Sequence, residues 1–157
     1  MFRRCNYVQT VNTGANNEVV EILLIDDHLP DIVLTRKAFE SSEGNSRIHI
    51  ARDGEEAVHF LMQEGEYADS TRPDLIFLDI NLPKLSGYEV LEIIKRDVEL
   101  RTIPVIMLTS SDSKQDIKKC YSLYANSYLV KPDSLKKYIK MIQRVEGFWC
   151  NLVKLHK

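Results

Sequence analysis

Cysteine is scarce: Cys5, Cys120 and Cys150 are odd in number and widely spaced, so they build neither a disulfide framework nor a zinc-ligand pattern. They read as reduced thiols. Nowhere do about 18 apolar residues run together, and the two arginines of the opening MFRRCNYVQTVNTGANNEVV have no apolar run behind them. Neither membrane spanning nor secretion is indicated, and the cytoplasm is the expected compartment. The net charge of -2 and the lack of a Lys/Arg stripe remove the basic field that dominates nucleic-acid affinity. No GxGxxG or GxxxxGK[ST] follows any apolar run, which sets aside dinucleotide and P-loop nucleotide sites. His28, His49, His59 and His156 lack metal-ligand spacing and read as ordinary surface or partly satisfied histidines. No internal repeat or low-complexity tract is present.

The chain has 157 residues, 44% of them hydrophobic and 28% charged, which is the make-up of one soluble domain with a real core. Residues 1–19 are rich in Asn, Thr and Gly without a sustained period and read as a flexible N-terminal arm. From residue 20 short apolar runs alternate with amphipathic stretches. EILLI (21–25), RIHIA (47–51), DLIFL (74–78), IPVIML (103–108) and NSYLV (126–130) read as buried strands. Helical periodicity falls near 31–42, 54–65, 86–97 and 113–122, with a longer stretch over 133–154. GEYADSTRP (65–73) reads as a polar loop ended by Pro73. Strict β/α alternation calls for a parallel sheet with helices on both faces and right-handed crossovers. The expected fold is α/β, a flavodoxin-like (βα)5 sheet of order 2-1-3-4-5 over residues 20–154.

In such sheets ligands gather at the carboxyl ends of strands. Asp26 and Asp27 directly follow EILLI, Asp79 follows DLIFL, Thr109 ends IPVIMLT, and Lys131 follows NSYLV. Singly, each has a plain explanation as a turn residue, a satisfied hydroxyl or a surface charge. Together they put four strand ends' worth of polar groups at one edge. Three crowded carboxylates repel, and a hard cation relieves them. Mg2+ takes one or two carboxylates plus phosphate oxygens, which suits Asp27 and Asp79 with Asp26 beside them; zinc is disfavoured because no Cys or His joins the set. Lys131 and Thr109 can contact phosphoryl oxygens, and an aspartate can serve as nucleophile to give an acyl phosphate. Asp79, on the central apolar strand, is best placed for it.

The set LLIDD, LIFLDINLPKLSGYEV, IPVIMLTSS and YLVKP resembles the receiver domains of two-component response regulators, over about residues 20–154. By that resemblance Asp26 and Asp27 are the acid pair and Asp79 the phosphorylation site. Asn81 offers its backbone carbonyl to Mg2+, Thr109 is the switch hydroxyl, Lys131 is the lysine before a proline, and Tyr128 sits at the aromatic switch position. The resemblance also implies a cis Lys131–Pro132 bond. GEYADSTRPDLIFLDINLPKLSGYEVLEIIK and the closing EGFW are similar to the single-domain regulators paired with cyanobacterial phytochromes. A light-sensing histidine kinase is the partner this implies. Asp133 after the KP dipeptide, where many receivers carry an apolar residue, and the N-terminal arm are departures from the pattern.

A haloacid-dehalogenase-like phosphohydrolase uses similar groups, yet it presents its nucleophile in a DxD motif after the first strand, whereas Asp79-Ile80-Asn81 follows the third. A receiver that binds partners without phosphorylation is the other rival, and here the acid, Thr and Lys set is complete. Gly87 reads as a backbone requirement at a helix start. In the last helix Leu135, Tyr138, Ile139, Ile142, Val145, Trp149 and Leu152 follow a core-facing stripe, while Met141, Phe148, Val153 and Leu155 lie off it. The excess apolar surface leads us to expect a homodimer with Phe148 and Trp149 as anchors; the competing expectation is that both rings plug the domain's own end.

Overall fold

The structure, a computed structural model, describes residues 18–42 and 44–157. The elements are β1 (Val20–Ile25), α1 (Leu29–Glu40), β2 (Ser46–Ala51), α2 (Gly54–Met62), a 3-10 turn (Gly65–Tyr67), β3 (Leu75–Leu78) and α3 (Gly87–Arg96). They continue with β4 (Val105–Thr109), α4 (Lys114–Ser122), β5 (Ser127–Val130), α5 (Leu135–Glu146) and a π-helical turn (Gly147–Leu152). The five strands form one parallel sheet of order β2-β1-β3-β4-β5, as expected. Most of the expected N-terminal arm, and Cys5 within it, lies outside the described residues.

Both faces of the sheet are covered, which is why the central strands read as unbroken apolar runs. Leu23, Ile25, Ile76, Leu78, Val105 and Met107 pack on Phe60 and Leu61 of α2 and on Val90, Leu91 and Ile94 of α3. On the other face Ile22, Leu24, Leu75, Phe77, Ile106 and Leu108 meet Ile32 and Phe39 of α1 and Tyr138 and Ile142 of α5. Burying each such side chain contributes about 1.5–3 kcal/mol, so the central strands anchor the frame that carries the site. Edge strand β5 is only partly covered.

Helix starts follow local chemistry. Asp53, Ser113 and Ser134 accept from backbone N–H groups one turn ahead, and Ser86 with Glu89 makes a reciprocal capping box. At α1 the His28 side chain makes no cap, and Pro30 opens the helix instead. Four expectations are corrected. Helix α2 stops at Met62, because Gln63 turns left-handed with φ of 56°. The segment after it is not simply a polar loop: Tyr67 is buried, meets Phe60 edge to face and donates to Glu56 Oε1 at 2.9 Å. The last helix is not one regular cylinder, since it widens into a π turn closed by Val153 N–H donating to Phe148 O at 2.9 Å. The Lys131–Pro132 bond is trans, the ordinary form, and no cis bond occurs among the described residues.

Candidate functional site

The register brings the acids together. Ile25 pairs with Leu78, so Asp26 and Asp79 leave adjacent strands side by side, and Asp79 N–H extends the ladder to Ile25 O at 3.0 Å. Lys131 N–H does the same to Thr109 O at 2.7 Å, which delivers the lysine to the same edge. There its ammonium donates to Asp26 Oδ2 at 2.7 Å, Asp79 Oδ2 at 2.8 Å and Asp31 Oδ2 at 2.9 Å. All three of its protons are thereby used. The Lys131 side chain is 7% exposed and Asp26 1%, so these charges meet largely out of water.

Burial pushes the Asp26 carboxyl up, against the pull of Lys131, and the neighbouring Asp79 charge adds to the rise. For Lys131 burial alone works downward, but the charges and hydrogen bonds of Asp26 and Asp79 outweigh it and hold the ammonium well above the ordinary lysine range. Three carboxylates against one ammonium leave two formal negative charges. The other oxygens of Asp26 and Asp79 rest on backbone: Asp26 Oδ1 accepts from His28 N–H at 2.8 Å and Asp79 Oδ1 from Asn81 N–H at 3.3 Å.

Not every expected residue joins the cluster. Asp27 and Asn81 are exposed, and among the described residues Lys131 reaches Asp26, Asp31 and Asp79 rather than Asp27. Asp31 was missed. It lies in the first turn of α1, where an acid is already favoured by the helix dipole, so its sequence position carried no special signal. It also lies 3.0 Å from His28 Nδ1.

Thr109 is fully buried, and its Oγ1 accepts from Ser111 N–H at 3.4 Å. Tyr128 packs partly on the core, and its hydroxyl donates to Ser111 O at 2.9 Å. Gly87 does meet a backbone requirement, of approach rather than of φ. A Cβ there would lie 2.1 Å from Asp79 O.

No group of three or more His, Cys, Asp or Glu side chains among the described residues is spaced to hold a metal ion. The acids close on Lys131 instead. In kind the donors fit a hard divalent cation, since Asp26, Asp27, Asp79 and the Asn81 carbonyl offer only oxygen, and the ammonium already marks a place where cationic charge is stabilised.

At the far end of α5 the two aromatic rings part company. Phe148 is 50% exposed, whereas Trp149 is partly buried against the α1/α5 side of the core; they meet edge to face at 5.4 Å. The end-plug expectation thus holds for Trp149 and not for Phe148.

The response regulator receiver domain family matches residues 22–143. Response regulator Rcp1 of Synechocystis sp. is 44% identical over 134 residues, 85% of this chain and 91% of Rcp1. The crystal structure of the Mn2+-bound form of Rcp1 superposes with a TM-score of 0.85 at 43% identity, covering 88% of this chain and 99% of that one. The structure of the phosphorylated cyanobacterial phytochrome response regulator RcpA gives a TM-score of 0.87 at 40% identity, covering 89% of this chain and 100% of that one. Sheet order, strand-end acids, lysine and relatives agree: the chain belongs to the response regulator receiver family and is similar to a regulator of cyanobacterial phytochrome.

Proposed function

We propose that the chain is a phospho-acceptor that takes a phosphoryl group from a histidine kinase onto Asp79 and alters its surface in response. The observation that carries this reading is the Asp79 carboxylate at the end of the central strand, with Oδ2 held 2.8 Å from Lys131 Nζ. In the transfer an Asp79 oxygen bonds to phosphorus as the P–N bond to the kinase imidazole breaks and the electron pair leaves with the imidazole. Lys131 neutralises a phosphoryl oxygen, and the Thr109 hydroxyl, whose proton has no acceptor among the described residues, donates to another. Asp26, Asp27, Asp79 and the Asn81 carbonyl are the residues that would hold Mg2+, which when bound supplies further neutralisation of the phosphoryl oxygens. The only reactions catalysed are then the domain's own phosphorylation and dephosphorylation. Likeness to Rcp1 and RcpA supports a phytochrome-type sensor as the kinase.

The test is incubation with acetyl phosphate and Mg2+ followed by mass spectrometry. Wild type is expected to gain a single hydroxylamine-labile phosphoryl group at Asp79, and to gain little without Mg2+. Asp79→Asn is expected to gain none. Labelling of that variant at the wild-type rate would overturn the reading.

A further inference from the structure

The loop between β4 and α4 is tied to α3 through one carboxylate. Asp116, in the first turn of α4, accepts from the Tyr88 hydroxyl on α3 with Oδ1 and from the Ser111 hydroxyl in the loop with Oδ2, each at 2.5 Å. Hydrogen bonds to a charged acceptor are roughly twice as strong as neutral ones, and these are short. Ser111 in turn gives its N–H to Thr109 Oγ1 at 3.4 Å and takes the Tyr128 hydroxyl on its carbonyl at 2.9 Å. Its hydroxyl oxygen also accepts from Ser113 N–H at 3.3 Å. The Tyr88 ring is fixed from another side by the Lys119 ammonium, 3.7 Å from its centroid. A continuous chain of polar contacts therefore runs from the Thr109 hydroxyl through Ser111 and Asp116 to Tyr88.

We propose that Asp116 is a positioning residue that relays movement of the Thr109–Ser111 loop to the N-terminal end of α3 through the Tyr88 hydroxyl. This rests on Asp79 being the phospho-acceptor: a phosphoryl group that draws in the Thr109 hydroxyl pulls on Ser111, and the shared carboxylate carries the displacement across to α3. The two hydrogen bonds also hold the Asp116 carboxyl below the usual carboxylate range, with burial working the other way and Lys119 adding a small downward pull. The clamp therefore stays ionised at neutral pH. A second route to Tyr88 exists, since Gly87 lies hard against the Asp79 carbonyl and could push on its neighbour directly. The two routes separate cleanly, because only the first passes through Asp116.

The experiment uses the full chain with fluorine-labelled tyrosine and backbone NMR, before and after acetyl phosphate with Mg2+, with mass spectrometry reading the acyl phosphate on each sample. In wild type the Tyr88 signal and the amides of Thr109 and Ser111 are expected to shift together. In Asp116→Asn, which keeps the side-chain volume but turns an amide NH2 toward one of the two hydroxyls, the acyl phosphate and the Ser111 shift should persist while the Tyr88 shift falls at least threefold. Ser111→Ala, which cuts the same chain one link earlier and leaves Asp116 and Tyr88 in place, should silence Tyr88 likewise. A Tyr88 shift of wild-type size in Asp116→Asn would overturn the relay in favour of the Gly87 route. A phosphorylated wild type with Tyr88 silent would overturn the relay alone, and a wild type that forms no acyl phosphate would overturn the receiver reading and the relay with it.

Discussion

At the scale of single residues, Gly87 is the sharpest constraint beside the site. A methyl group there would stand 2.1 Å from Asp79 O and 2.7 Å from Ile80 Cα, both backbone atoms of the segment that carries Asp79. Neither can yield without moving Asp79, so Gly87→Ala is expected to cost about 1–3 kcal/mol, the range for overpacking. A fall in the urea midpoint at unchanged slope would bear this out, and an unchanged midpoint would contradict it. The need for glycine at a helix start was readable from the chain; that the reason is close approach was not. Asp26, Asp79 and Lys131 were legible because each directly follows an apolar run of strand length. Asp31 was not, since nothing in HLPD tells a helix-starting acid from one that reaches Lys131 Nζ. Asp27 was legible as an acid, but that it would be exposed while Asp26 is buried was not.

Among the elements, α5 carries an internal cost that pH should expose. Glu146, in its last turn, is 2% exposed, and its Oε1 has no hydrogen-bond partner among the described residues. Burial pushes its carboxyl up, only partly opposed by Ser42. A folded pKa above the unfolded one means that the native state binds the proton more tightly. Its contribution is therefore favourable below the unfolded value of about 4.5 and is lost as pH rises through the folded value. Glu146→Gln should accordingly raise the melting temperature at pH 7, by about 2–4 °C if the gain is about 1 kcal/mol. The gain should vanish near pH 4, and thermal melts giving one constant difference across that window would contradict the assignment. The same region marks where periodicity stopped informing. Five strands and five helices were legible from alternating apolar runs, but the π turn after Glu146 keeps nearly the same apolar spacing as an α-helix. The 3-10 turn at Gly65–Tyr67 hid its one buried ring among polar neighbours.

For the molecule as a whole, several large apolar groups are exposed, and three of them, Leu135 (64%), Phe148 (50%) and Leu152 (72%), belong to the last helix and its extension. Trp149 is already partly used by the domain's own core, so pairing of two copies would lean on Phe148 and Leu152 more than on the indole. Sedimentation of the wild type at tens of micromolar is expected to give a dimer that Phe148→Asp dissociates. A Kd near 10⁻⁵ M corresponds to about -7 kcal/mol, and a wild type monomeric at that concentration in both phosphorylation states would exclude the pairing. The three bonds of Lys131 have a further consequence. They span 105, 100 and 52 positions of chain, reaching back from the last strand to the first strand's end, to the first helix and to the central strand. Chains are made from the amino end and long-range contacts must wait for their later partner. During synthesis the aspartates emerge well before the lysine that gathers them, so this edge of the sheet is among the last parts of the fold to be completed. An unfinished chain that stops short of residue 131 carries these aspartates without the ammonium that holds them together.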